Sequence, residues 1–536
     1  MGNIYLAKRG ETAIHYTIAP YNALNKERAD LVLTNTEVDE SLINSALQEL
    51  ANKRDLLKFD EYSQPLPVIV DFMTGDINGV TQIDIPDNFY LNGNNAVITQ
   101  AESKQEGRNT LFMTAAIEDE EGNISRGKAH ISDFRIFVAD YGNHNGIYLE
   151  YGTVKNCTIE SIAKYGIRVQ YGSVENCSVE GATEKGIYVY NGSISDCDLG
   201  GGKDPISGYV CDIKRCNVYG DNGITILQGD ITDTKVEVGT TGTAIEITGK
   251  GNVINCETLM ATLGFYVAEG KVINCKSTQN TTGIKVGKGD VIGCYVAEDT
   301  ETGIVIETSG NVTGCVTGEG LYTGISIAKG TVSHCTIGSG NDAAIMGTTV
   351  DVSHCNFASS CTGVIIKSGN VSYCNFTLSS AEAIFINGDD KSTVSNCNIG
   401  SCQYGAIYIK NGVVSDCTIK SCNSEGVLGE NVNVDNCKFD KCETGVSITS
   451  GNITNCTFDQ ISTCGIKANA NSYSVFSNNT FKQVKNSCVA ISLVNTNNCL
   501  VTNNIFAVKD STAQYVAMSG TNNIKKNNIE GATFVE

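Results

Sequence analysis

The sequence predicts an all-β solenoid of parallel coils stacked along one axis, and three observations predict it. First, a phrase of about twenty residues is written three times in succession. Gly146-Ile147-Tyr148-Leu149 leads to Gly152-Thr153-Val154-Lys155-Asn156-Cys157-Thr158-Ile159; Gly166-Ile167-Arg168-Val169 leads to Gly172-Ser173-Val174-Glu175-Asn176-Cys177-Ser178-Val179; Gly186-Ile187-Tyr188-Val189 leads to Gly192-Ser193-Ile194-Ser195-Asp196-Cys197-Asp198-Leu199. Second, each repeat consists of short apolar/polar alternations of strand type, broken by Gly, Asn and Asp where the chain must turn, with no room for a helix. Third, the cysteines keep the period. Cys157, Cys177, Cys197, Cys216, Cys256, Cys275, Cys294, Cys315, Cys335, Cys355, Cys374, Cys397, Cys417, Cys437 and Cys456 form one column, with Thr234 filling its gap, at steps of 18 to 23 residues.

A strand-only unit of this size cannot bury its apolar face alone, so successive units must stack and pair their strands in parallel. The small variation in step says that turns vary while strands hold register. The column extends back to Phe134 and forward to Asn479, Asn504 and Asn528. Nineteen steps at about 4.8 Å predict a rod on the order of 90 Å long.

The Gly-Ile-x-Val strands, the Val-x-Asn-Cys-x-Ile corners and the Asn ladder beside the cysteines (Asn156, Asn176, Asn255, Asn274, Asn396, Asn436, Asn455) resemble the single-stranded parallel β-helix of the pectate-lyase-like kind. The resemblance covers roughly residues 85 to 530. It implies a right-handed parallel β-helix of about 20 coils of about 20 residues, and the general preference for right-handed crossovers supports that hand. It specifies architecture more than function, because the fold serves lyases, hydrolases, adhesins and viral spikes.

The chain has 536 residues, 59 acidic and 38 basic, and a formal charge of −21. Such a surface repels nucleic acid and anionic membranes. It also weighs against an anionic polysaccharide unless a cation intervenes. Trp is absent, leaving 22 Tyr as flat surfaces for sugars. No stretch reaches the roughly 18 apolar residues that span a membrane. The N-terminus carries no basic-then-apolar export signal, and Leu6 stands where a myristoylation signal wants Ser or Thr. The expectation is synthesis in a host cytoplasm. The 23 cysteines then read as free thiols acting as small buried hydrophobes, since stacked side chains hold their Cβ atoms too far apart for good disulfide geometry. A second column, Cys402, Cys422 and Cys442, lies five residues downstream of the first, and C-x4-C is not zinc-site spacing. No cofactor is called for.

Four regions are expected. Residues 1–66 form an N-terminal attachment or capping segment, 67–130 a cap and first coils with a charged loop inserted between Glu102 and Lys128, 131–467 the regular β-helix, and 468–536 irregular, Asn-rich coils and a cap. In the first, Asp39 is a candidate N-cap for an amphipathic helix of about 16 to 18 residues. Its apolar stripe is Leu42, Ile43, Ala46, Leu47 and Leu50, with Leu57 a turn or two on. That stripe must pack on the solenoid, on a copy of itself, as in a trimer, or on another protein.

Chemistry belongs on outward positions of adjacent coils. The family's polygalacturonases carry Asn-Thr-Asp, Asp-Asp, Gly-His-Gly and Arg-Ile-Lys motifs, and this sequence departs from them. Asp389-Asp390 is its one Asp-Asp pair, with neither Gly-His-Gly nor Arg-Ile-Lys beside it. A carboxylate pair assembled across coils would still suffice for a glycosidase. His334 and His354, 20 residues apart in Ser-His-Cys corners, should stack and are weak metal candidates, against surface filling as the plainer reading. The acidic run Glu298-Asp299-Thr300-Glu301, with Glu307 and Glu319, is a weaker cation candidate against a solvated turn. On the first regular coils, Tyr148, Arg168 and Tyr188 form one outward column, Tyr151 and Tyr171 a second, and Glu150, Gln170 and Tyr190 a third. These candidates offer flat faces and hydrogen bonds to a glycan, against an inter-subunit contact or an ordinary β-face.

The whole pattern resembles a bacteriophage tail spike, tail fibre or decoration protein. That implies display on the virion, contact with other virion proteins through residues 1–66, and host-surface polysaccharide as ligand. A polysaccharide depolymerase, lyase or hydrolase, is the first alternative and a cell-surface adhesin the second.

Overall fold

The computed structural model describes residues 13–36, 39–56, 66–101, 110–118, 124–138, 145–161, 164–239, 241–297, 301–319, 321–338, 340–469, 473–484, 488–508 and 514–531. The chain is an all-β parallel solenoid with one helix, near the N-terminus, among those residues. It divides into two compact units, Met1–Glu269 and Gly270–Glu536.

In the first unit, residues one coil apart stand in register. Ile147, Ile167, Ile187, Ile206, Ile224 and Ile245 make one interior column, pairing in sequence across six coils. Val154, Val174, Ile194, Ile213, Ile231 and Val253 make a second, and Ile159, Val179, Leu199, Val218, Val236 and Thr258 a third. All are buried. Three columns mean three strand walls per coil facing one core, and each fully buried aliphatic side chain contributes about 2 kcal/mol.

The turn between two of these walls explains the corner sequence. Asn156, Asn176, Asp196 and Asn255 have φ of 51° to 56°, the left-handed region that Asn and Asp tolerate best. The next residue, a cysteine in most coils, then points inward, and its carbonyl accepts from the following coil, as Cys157 O does from Ser178 N–H at 2.9 Å. The asparagines hydrogen-bond up the outside, Asn176 Nδ2 donating to Asn156 Oδ1 at 2.9 Å.

Residues of the N-terminal segment are less separate than the sequence suggests. Ile14–Ala19 pairs in parallel with Val68–Phe72 as a coil of the same solenoid. The helix spans Asp39–Leu56, and Leu57 lies outside the described residues. Asp39 is its first residue rather than its cap. The Asp39 carboxylate accepts from Thr34 N–H at 2.9 Å and Asn35 N–H at 2.6 Å, turning back on the preceding loop. Of the partners open to the apolar stripe, the one observed is the chain's own sheet. Ile43, Leu47 and Leu50 are fully buried against Asp76–Val80 and Ile83–Ile85, while Leu42 and Ala46 are half-buried. Polar bonds fix the docking: Asn44 accepts from Asp84 N–H at 2.9 Å and donates to Gln82 O at 3.0 Å. The stretch expected as a charged loop holds an antiparallel pair, Ala116–Glu118 with Ile124–Arg126.

In the second unit the interior column runs Ile284, Ile304, Ile325, Ile345, Val364, Ile384, Ile407, Val427, Val446, Ile466 and Ile491. Phe439, Phe458, Phe481 and Phe506 stack inside with centroids 4.8 to 5.0 Å apart. The 22 described cysteines of the chain are buried free thiols. Cys402 and Cys422 of the second cysteine column bridge in parallel. Where the main column changes to Asn479 and Asn504, both are fully buried and exchange amide hydrogen bonds, Asn479 Nδ2 to Asn504 Oδ1 at 3.0 Å.

Candidate functional site

The outward columns fall on Asn145–Lys155, Tyr165–Glu175, Lys185–Ser195 and Asp204–Lys214 in the first unit. Strand alternation sends Ile147 and Leu149 inward, so Tyr148 and Glu150 face out. Register then stacks Tyr148 on Arg168 and Arg168 on Tyr188. The Arg168 guanidinium carbon lies 5.2 Å from the Tyr148 ring centroid, 5.7 Å from that of Tyr188 and 5.9 Å from that of Tyr165. More cation adjoins it. Arg126 stands over the outer side of Tyr148 at 5.8 Å, and Lys185 Nζ lies 4.9 Å from the Tyr188 ring. Burial raises the Tyr188 hydroxyl above its ordinary value, and Arg168 opposes that shift.

Beside this column runs an aromatic band. Tyr151 stacks on Tyr171 at 5.0 Å and 15°, Tyr171 meets Tyr190 edge-on at 5.9 Å, and Tyr190 stacks on Tyr209 at 4.9 Å and 8°. Tyr151, Tyr171 and Tyr209 are 43%, 41% and 45% exposed, enough to offer ring surface to a ligand. Glu150 and Gln170 are half-buried between the column and the band. All eight residues singled out from sequence therefore share one face.

Sequence reasoning missed the continuation of that face. Below Tyr188 the column passes through Ser207 and Thr225 to Glu246. Burial first, then the nearby Asp204 charge, raises the Glu246 carboxyl above its ordinary value. Asp204 follows Lys185 in register and accepts from Asn222 Nδ2 at 2.8 Å. The available signal was positional, since Tyr148, Arg168, Tyr188, Ser207, Thr225 and Glu246 each follow a column isoleucine.

Elsewhere the candidates fare differently. His334 and His354 stack in parallel, centroids 4.8 Å apart at 3°, and Tyr373 continues the stack at 4.9 Å. One ion held at about 2.1 Å from each ligand spans only about 4.2 Å between nitrogens, so this stacking does not favour a shared metal. All three occupy left-handed corners, with φ of 53° to 56°. No group of three or more metal-ligating side chains gathers among the described residues. Residues 298–300 of the acidic run lie outside the described residues, and Glu307 is paired with Lys285 at 2.8 Å. Asp389 is paired with Lys410 at 2.7 Å. In the second unit, two hollows of about 520 and 360 Å³ share Glu443 and Thr463. They are polar depressions without the aromatic lining of the first-unit face.

Among known proteins, the family model described as "Right handed beta helix region" matches residues 86–201 and 346–481. No curated protein sequence matches the chain. Similar solved structures include the gene product 12 N-terminal fragment of bacteriophage Phi29, 12% identical over 85% of this chain and 88% of that one with a TM-score of 0.32. A tailspike protein double mutant of E. coli bacteriophage HK620 is 12% identical over 77% and 76%, TM-score 0.28. The A-module of the mannuronan C-5 epimerase AlgE6 of Azotobacter vinelandii is 10% identical over 96% and 98%, TM-score 0.13. Likeness at these scores carries no conclusion about function. The matched stretches, the parallel register and the buried columns give this chain the fold of a right-handed parallel β-solenoid.

Proposed function

We propose that the face built on Tyr148, Arg168, Tyr188 and the Tyr151–Tyr209 band binds host-surface polysaccharide, and that the chain is a bacteriophage virion protein: a tail spike, tail fibre or decoration protein. The binding reading is carried by one observation, a band of four tyrosines beside a column of cation–π contacts. Rings fixed on strands lose little freedom on binding, and their flat apolar faces match the C–H faces of pyranoses while their hydroxyls reach the sugar's own. The virion assignment draws on the repeat pattern and its family resemblance. Docking to other virion proteins falls to surfaces of residues 1–66 other than Ile43, Leu47 and Leu50, which the sheet already covers.

The test is a Tyr151→Ala, Tyr171→Ala, Tyr209→Ala triple variant, compared with the native chain on immobilised lipopolysaccharides and capsular polysaccharides. Removing three exposed rings should weaken binding by about tenfold or more with an unchanged melting temperature. Unchanged affinity removes the face from consideration.

A depolymerase is the second reading, and Glu246 favours it: a carboxyl held above its usual range beside Asp204, in the column below Tyr188, has the character of a general acid. New reducing ends or unsaturated uronates on incubation with the bound polysaccharide, lost in Glu246→Gln, would establish it. Binding without either product leaves the chain a binder.

A further inference from the structure

Arg168 has no acidic partner among the described residues of an acidic protein. Elsewhere on the same unit several cations are matched by carboxylates, among them Arg135 with Glu160 at 2.7 Å, Lys155 with Glu175 at 2.6 Å and Arg215 with Asp196 at 2.5 Å. Arg168 instead sits between the rings of Tyr148 and Tyr188, and its Nε is buried without a hydrogen-bond partner. Lys185 likewise makes no ion pair among the described residues and lies over Tyr188. The acids of the neighbourhood do not neutralise them. Glu184 is paired with Lys164 at 3.5 Å, Asp204 accepts from Asn222, and Glu150 stands in the adjoining column with no ion pair to either cation. One coil past Tyr188, the 94% buried Ser207 has a hydroxyl that is also without a partner.

The arrangement has a chemical reading. A guanidinium held between aromatic rings on the coils above and below can still present an edge of N–H donors to a ligand. That edge matches the two oxygens of a carboxylate. A surface arginine with nothing to bind would gain from one of the many acids of a chain with charge −21, as Arg135 and Arg215 do. Keeping donors unclaimed on a rigid shelf is the condition under which a ligand carboxylate loses least on binding.

We propose that the face selects an acidic saccharide, a uronate or a sialate-type sugar, whose carboxylate binds Arg168 with support from Lys185 while adjacent pyranose rings lie on the tyrosine band. This rests on the glycan-binding reading of the same face and narrows it. The net negative charge that weighs against anionic polysaccharides across the whole chain does not describe this patch, where Arg126, Arg168 and Lys185 gather around two tyrosines.

The experiment uses the full chain on immobilised fragments of hyaluronan, alginate, polygalacturonate and polysialate, each beside its own carboxyl-reduced counterpart, together with neutral O-chain polysaccharides. At least one acidic fragment should bind, and reducing its carboxyls should weaken it by about tenfold or more, the scale of a lost charge-assisted pair. Arg168→Gln should weaken the acidic fragment by about tenfold or more and the reduced one clearly less. Lys185→Gln should give a smaller loss of the same kind and serves if Arg168→Gln does not fold. Equal binding of acidic and reduced fragments, or an equal loss of both in Arg168→Gln, overturns the acidic assignment and leaves the glycan face standing. Binding confined to neutral chains does the same. No binding to any acidic, reduced or neutral polysaccharide overturns both.

Discussion

A Cβ atom built on Gly172 would stand 1.8 Å from the carbonyl oxygen of Gly152, one coil away. The same contact recurs at Gly192 against Gly172, so along this glycine column a side chain on one coil would collide with the backbone of the next. Gly172 also has φ +151°, a conformation that other residues rarely adopt. Gly172→Ala should therefore cost about 3 kcal/mol or more, since neither the strand nor its neighbour can give way. Gly314, at a corner with φ +64° and open space around its Cβ, is the control; Gly314→Ala should cost only about 1 kcal/mol. Urea unfolding of the two variants checks the contrast, and equal costs would show that the column tolerates side chains.

Acid should weaken the first unit through His130. Its ring stacks on Tyr90 at 4.2 Å and its Nδ1 lies 2.6 Å from Thr153 Oγ1, and burial, helped by Lys128 and Lys155, pushes its pKa from 6.5 down to about 4. Folding therefore favours the neutral ring. This contribution is complete above pH 6.5 and is lost as the unfolded chain takes up a proton that the folded chain refuses between 6.5 and about 4. With allowance for solvent screening, about 1–2 kcal/mol should disappear over that window. His130→Phe keeps the stack and should flatten this part of the pH profile, measured as the denaturant midpoint at pH 7 and pH 4.5.

The buried amides of the second unit should be less replaceable than the thiols they succeed. Asn504 donates to Phe476 O at 2.9 Å and to Asn528 Oδ1 at 3.0 Å, and its Oδ1 accepts from Asn479 N–H at 2.9 Å. Asn504→Leu strands the Asn479 and Phe476 groups in the core, at a cost of about 3 kcal/mol or more. Cys437→Ala leaves only a small void and should cost about 1 kcal/mol. Chemical denaturation of both variants ranks them.

The 22 buried thiols should not react with Ellman's reagent in the folded chain and should all become reactive in guanidinium. Burial pushes Cys464 up to about 12 and Cys211 upward as well, so these two hold little thiolate at neutral pH even where reagent could enter. Rapid reaction of many thiols in native buffer would place the column at the surface.

How much was legible follows from the geometry of stacking. In a parallel solenoid, residues one period apart become direct neighbours, so a repeat of 18 to 23 residues in one dimension is a contact list in three. The isoleucine columns, the cysteine column and the shared face of Tyr148, Arg168 and Tyr188 were determined by the sequence alone for that reason. The helix was legible as a helix, but its partner was not, because Ile43, Leu47 and Leu50 pack on strands outside the repeat pattern. Only the tertiary structure decided that Arg168 has no acidic partner among the described residues, that Glu246 lies near Asp204, and that Tyr190 stacks on Tyr209. Those relations depend on how side chains from different coils are oriented and which charges come within a few ångströms, and neither periodicity nor net charge carries that information.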